Sequence, residues 1–138
     1  MSYERIGWFA DLPHGDAGAP ELALSINQID QEQRSPIADY LDSGIVLAET
    51  LRTEAWDALS STRPAIGPLR TMTDGLFIWP SDLGFYVRNY GAALPDSLLL
   101  AIEENKGKIP ALSPDDLDQI LAGEILVGRA APLFWTNT

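Results

Sequence analysis

Apolar residues along this chain alternate between strand-like and helix-like spacings, and turn-forming residues mark most of the switches. Residues 6–9 (IGWF) read as a short strand, and residues 10–20 (ADLPHGDAGAP), rich in Gly, Pro and Asp, predict an exposed, mobile loop. Ser35-Pro36 predicts a helix start, because Ser can cap free amides and Pro loses nothing at a first helical position. Ile37, Tyr40 and Leu41 then share a face, and Gly44 closes the helix. Residues 45–48 (IVLA) form a second short apolar run beyond that glycine and read as strand. Residues 51–68 stay open: Trp56 and Leu59 could anchor a helical turn, whereas Ser60, Ser61, Thr62, Pro64 and Gly67 argue for a loop.

The densest signal is residues 73–90, TDGLFIWPSDLGFYVRNY. Asp74-Gly75 predicts a two-residue hairpin turn with positive φ at both centres, joining strands at 69–73 and 76–79. Pro80 stops the second strand, and Ser81 is placed to cap a helix that has Asp82 in its first turn. Leu83, Tyr86, Val87 and Tyr90 fall at i, i+3, i+4 and i+7, a buried stripe, with Gly91 as C-terminal cap. Leu94-Pro95 leads to a helix over 96–105, whose Leu98, Leu99, Leu100 and Ile102 predict a wide buried face. Ser113-Pro114-Asp115-Asp116 opens another helix, with Leu117, Ile120 and Leu121 inward and Gly123 as its stop. Residues 125–127 read as a last strand before an apolar tail containing Leu133, Phe134 and Trp135. Short strands mixed with helices in no regular alternation predict one α+β domain: a small, mainly antiparallel sheet with about four helices packed on it.

Charge narrows the partners. Twenty acids face nine bases, a net charge of -11, so nucleic acids and anionic membranes would be repelled. Residues 1–62 carry eleven acids against three arginines, and residues 63–138 nine acids against six bases, so the first half is the more acidic. A field of this sign favours encounter with a basic protein. With no cysteine there is neither a disulfide nor a thiolate nucleophile. The opening MSYERIGWFADLP lacks the apolar core of a secretory signal, so the expected location is cytoplasmic.

Candidate chemistry is sparse, and no cofactor or metal is expected. His14, flanked by Asp11 and Asp16, is expected to be a solvent-exposed loop residue, since one imidazole with two nearby acids specifies no site. Asp74, Asp82, Glu103 and Glu104 lie near aromatic segments that could support carboxylate chemistry, but turn and cap duties account for the first two. Phe85 falls off the buried stripe and Trp79 precedes a chain-turning proline, so either, if exposed, is a candidate partner-binding anchor, while core packing is the favoured reading of the aromatics. Asp115, Asp116 and Asp118, the densest acid cluster, are the candidate charged contacts.

At Thr73-Asp74-Gly75, Trp79-Pro80, Asp82-Leu83, Tyr86 and Leu94-Pro95, the chain resembles a recurrent element of small uncharacterised bacterial proteins, associated with the immunity-like proteins of bacterial toxin systems. The resemblance runs from about Ile37 to Leu117, with Tyr40-Leu41 and Gly44 as weaker matches. It implies a small soluble protein that works by binding, neutralising a toxin domain, and it carries no catalytic residues. Three readings follow. The first is a non-enzymatic module for a basic protein partner. The second is a carboxylate-using enzyme or small-ligand protein with an aromatic pocket, and the third a self-associating accessory domain.

Overall fold

Four consecutive buried residues, Phe77–Pro80, form the strand around which the domain is built. The computed structural model of this protein describes residues 3–126. In chain order it contains β1 (Glu4–Arg5), a 3-10 turn (Leu22–Leu24), α1 (Gln31–Asp42), β2 (Ile45–Trp56), β3 (Ala65–Thr73), β4 (Phe77–Pro80), α2 (Leu83–Tyr90), α3 (Asp96–Glu104) and α4 (Pro114–Leu126). The strands make one sheet in the order β1-β4-β3-β2. β2/β3 and β3/β4 pair antiparallel, while β1 runs parallel to β4. The α+β class and mainly antiparallel sheet expected from the sequence are therefore what the structure has.

Side chains of a strand alternate between its two faces, and β4 buries both. Phe77 and Trp79 join the main core with Tyr40 and Leu41 of α1, Leu83, Tyr86 and Val87 of α2, and Leu98 of α3. Ile78 points the other way, to Trp8, Leu47 and Ile120 of α4. Three helices thus cover one face and α4 the other, so a polar alternation in β4 would leave charges in a core.

The β3–β4 connection sits where expected but has a different form. Pairing closes at Thr73↔Ile78, and positive φ occurs at Gly75 (+100°) without a matching value at Asp74. Side chains hold the wider turn. Asp74 Oδ1 accepts the amides of Leu76 and Phe77 at 3.0 and 2.9 Å, and the Thr73 hydroxyl donates to the Phe77 carbonyl at 2.8 Å.

Several boundaries move for identifiable reasons. Residues 6–9 are not a strand: pairing ends at Arg5, and Ile6, Trp8 and Phe9 are buried from an irregular segment. α1 begins at Gln31, which places Pro36 inside the helix and not at its first position. Pro36 is exposed, so the carbonyl it leaves without a donor can face water. β2 runs on to Trp56, and with β3 it converts most of residues 51–68 into a hairpin whose turn is braced by the Leu59 amide on Asp57 at 2.9 Å. Ser81 caps nothing, because its hydroxyl accepts the Arg70 amide at 2.8 Å and donates to the Pro68 carbonyl at 3.0 Å. Gly91 does close α2 in the left-handed conformation (φ +62°), and Ser113 and Asp116 exchange side-chain to amide bonds at the start of α4. Gly123 does not stop α4. A Cβ there would lie 2.8 Å from the Tyr3 hydroxyl, so this glycine permits close packing while the helix continues through residues 125 and 126 instead of giving way to a strand. Val127 and the apolar tail lie outside the described residues.

Candidate functional site

The aromatic anchors expected from the sequence are not at the surface together. Trp79 is fully buried, its indole N–H donating to the Leu41 carbonyl at 3.1 Å and its ring tilted against Tyr40. The expectation fails because Pro80 ends β4 in the interior of the domain instead of at an edge. Phe85 is half-buried, edge-on to Tyr86 at 5.6 Å between ring centroids, and packs on the main core. Asp115 and Asp118 are exposed on α4, while Asp116 is half-buried and occupied in the helix cap.

Helix α3 supplies the outward apolar surface instead. Leu98 and Ala101 face the core, but Leu100 is 56 % exposed, a departure from the wide buried face expected of this helix. Leu100 and Leu76 (57 % exposed) line one groove of about 400 Å³, with Glu4 and Glu104 at its sides. On the other flank, a groove of about 330 Å³ runs between α3 and α1, floored by Ile37, Leu99 and Ile102 and bordered by Glu32 and Glu103. α3 is thus a ridge between two apolar grooves, each carrying acids from both walls. Lys106 and Lys108 follow the helix and are exposed.

The carboxylates considered for catalysis have separate partners. Asp74 accepts the Tyr40 hydroxyl at 2.6 Å as well as the turn amides, and Glu103 and Glu104 border different grooves. Asp82 is 1 % exposed and faces His14, whose Nε2 lies 3.0 Å from Oδ2. Contrary to expectation, the His14 side chain is only 16 % exposed, with its ring edge-on to Trp8. Among the described residues, neither oxygen of Asp82 nor His14 Nε2 has an aligned hydrogen-bond partner. The surrounding loop, expected to be mobile, is tied down: Asp11 accepts the Leu22 amide at 2.7 Å, Asp16 binds Arg5 through two contacts of 2.8 and 2.9 Å, and Leu12 enters the core. Among the described residues no cluster of three His, Cys, Asp or Glu could hold a metal ion.

Three tyrosines lock helices to the sheet and its turns. Besides Tyr40, Tyr86 donates to the Trp56 carbonyl and accepts the Ala58 amide, both at 3.1 Å, and Tyr90 donates to Asp57 at 2.6 Å. Burial pushes the Tyr86 phenol up to about 12; burial, then the bond to Asp74, raises Tyr40; the bond to Asp57 raises Tyr90. A phenol that holds its proton more tightly when folded contributes stability that is complete below the unfolded value near 10 and is lost as pH rises through the folded one. Alkaline titration should therefore show these phenolates forming above pH 10, together with loss of helical circular dichroism, and Tyr86 alone should account for on the order of 2–3 kcal/mol. Ionisation of all the tyrosines near pH 10 with the fold intact would contradict this.

Among the described residues no helix is long and apolar enough to cross a membrane. No protein-family model matches the chain, and no curated protein or solved structure matches it.

Proposed function

We propose that this protein is a non-enzymatic binding module for a basic protein partner, and that the ridge of α3 with its two grooves is the contact face. The specific form we favour is an immunity-type protein that neutralises a basic toxin domain, in keeping with the resemblance of the segment at residues 73–86. The observation that carries the binding reading is the pairing of Leu76 and Leu100, both more than half exposed, with Glu4 and Glu104 around one groove. Apolar side chains left outward beside a groove favour a partner that buries them. The acids, within a chain of net charge -11, favour a partner of opposite sign and disfavour a second copy of this chain.

Charge on such a face sets the association rate, and apolar burial sets the lifetime. Affinity capture from the source organism should yield a basic protein that Leu76→Glu/Leu100→Glu fails to retain. For the captured partner, Leu100→Ala should speed dissociation about tenfold or more, the scale of a central interface side chain. Raising salt from 50 to 500 mM should slow association while leaving dissociation nearly unchanged. A partner whose association ignores salt, or that binds the double variant as tightly as the wild type, would refute this reading.

A further inference from the structure

Among the described residues β1 ends the sheet, and no strand pairs on its outer side. Its inner side is taken by β4: the Glu4 and Ile6 amides donate to the Leu76 and Ile78 carbonyls, each at 2.9 Å. Successive residues of a paired strand turn their backbone groups to opposite sides, so the Arg5 N–H and C=O between them point outward. An edge of this kind is a template for a further strand.

Two concave sites meet end to end along that side. The groove of Leu76 and Leu100 begins at Glu4, with Ser97, Ala101 and Glu104 on its far wall. A second, of about 350 Å³, continues past Glu4 to Arg5, Gly7 and Trp8, with Ala93, Leu94 and Pro95 opposite. As β1 and the residues after it advance, the facing wall runs back from Glu104 to Ala93, so one trough follows the edge. The exposed charges on it are Glu4 and Glu104, and the one cation among its described lining residues, Arg5, is already paired with Asp16 and Glu124. Glu4 lies on the α3 side of the sheet with Phe77, whereas Arg5 lies with Ile78 on the α4 side. A strand added here sends alternate side chains to these two sides. On the α3 side, Leu100 suits the apolar stem of a Lys or Arg and the two glutamates its charged head. Trp8 gives the other side an apolar wall.

We propose that this trough takes an extended segment of a basic partner, with Lys or Arg alternating with apolar residues, as a strand added to β1. The inference rests on the reading of the Leu76 and Leu100 groove as a contact face and names the form of what it binds. The test is amide NMR of the whole protein with a blocked, alternating Lys-Val hexapeptide. Its comparators are the same peptide N-methylated at its two central residues, one on each edge, an alternating Glu-Val hexapeptide and a lysine-bearing alanine helix. The Lys-Val peptide should give saturable shifts at Glu4, Arg5, Gly7 and Leu100 and slow exchange of the Arg5 amide about tenfold or more. N-methylation keeps the charges and side chains but removes backbone donors, and should weaken binding about tenfold or more. Glu4→Gln/Glu104→Gln should weaken it by a similar factor at low salt, and the Glu-Val peptide should give no saturable shift. No saturable shift from the Lys-Val peptide, equal binding by its N-methylated form, matching shifts from the helix, or an Arg5 amide that exchanges no more slowly would each overturn the proposal. A captured partner that Leu76→Glu/Leu100→Glu releases, but that leaves Arg5 exchange unchanged, overturns strand addition and keeps the contact face. Lys-Val binding with the expected pattern where capture yields no basic protein supports strand addition and removes the toxin reading.

Discussion

Trp79→Ala should cost about 3–5 kcal/mol of folding stability, the range for truncating a large buried aromatic. The side chain is fully buried, centred in the main core between α1 and α2, and its indole supplies the Leu41 carbonyl with a donor. A loss of that size is a large part of the roughly 5–15 kcal/mol that holds a domain of this kind together. The same ring also explains Gly44, where a Cβ would lie 2.6 Å from the Trp79 ring and 3.3 Å from Met72 Cβ. Gly44→Ala alone should therefore destabilise by about 1–3 kcal/mol through overpacking. In the Trp79→Ala background the added methyl finds space, so the two losses should combine to much less than their sum. Urea unfolding of the two single variants and the double variant measures the coupling. Strictly additive losses, or a Trp79→Ala cost below about 1 kcal/mol, would mean that the indole is not the packing centre of the core.

What the sequence made legible was what short-range chemistry controls. The α2 stripe from Leu83 to Tyr90, its Gly91 cap and the Ser113/Asp116 cap each depend on residues within two turns of one another, and each is present. The burial of Trp79 has no short-range signal, because it depends on α1 and α2 closing over one face of β4 while α4 closes over the other. The exposure of Leu100 did have a signal. Helical residues advance about 100° each, so Leu98 and Leu100 cannot face the same core, and an unbroken leucine run overstates the width of a buried face. His14 and Asp82 had none: they lie far apart in sequence, and no periodicity or motif links the loop to the start of α2. The outward grooves were equally hidden, since their walls come from β1, the β3–β4 turn, α1 and α3.

Arg5→Met should be the other severe lesion, at about 3–5 kcal/mol, because it strands a buried charge. Glu124 of α4 is 1 % exposed and is held by the Arg5 guanidinium and by the Tyr3 hydroxyl at 2.8 Å. Arg5 also grips Asp16 and stacks over Trp8, with 4.2 Å from its guanidinium carbon to the ring centroid. One cation therefore ties β1, the loop that carries His14, and the helix covering the second face of the sheet. Removing it leaves the Glu124 carboxylate, among the described residues, with the Tyr3 phenol as its donor, whereas Asp16, about a third exposed, can turn to water. Arg5→Met/Glu124→Met removes both charges and should recover most of the loss, since the desolvation penalty disappears with the second carboxylate. Hydrogen exchange separates this from a general weakening of the core. In Arg5→Met the Asp16 amide, bonded to the Trp8 carbonyl at 2.9 Å, should exchange faster relative to the Met72 and Trp79 amides at the centre of the sheet. A double variant no more stable than Arg5→Met would show that the guanidinium stabilises chiefly by packing on Trp8 and not by balancing the buried glutamate.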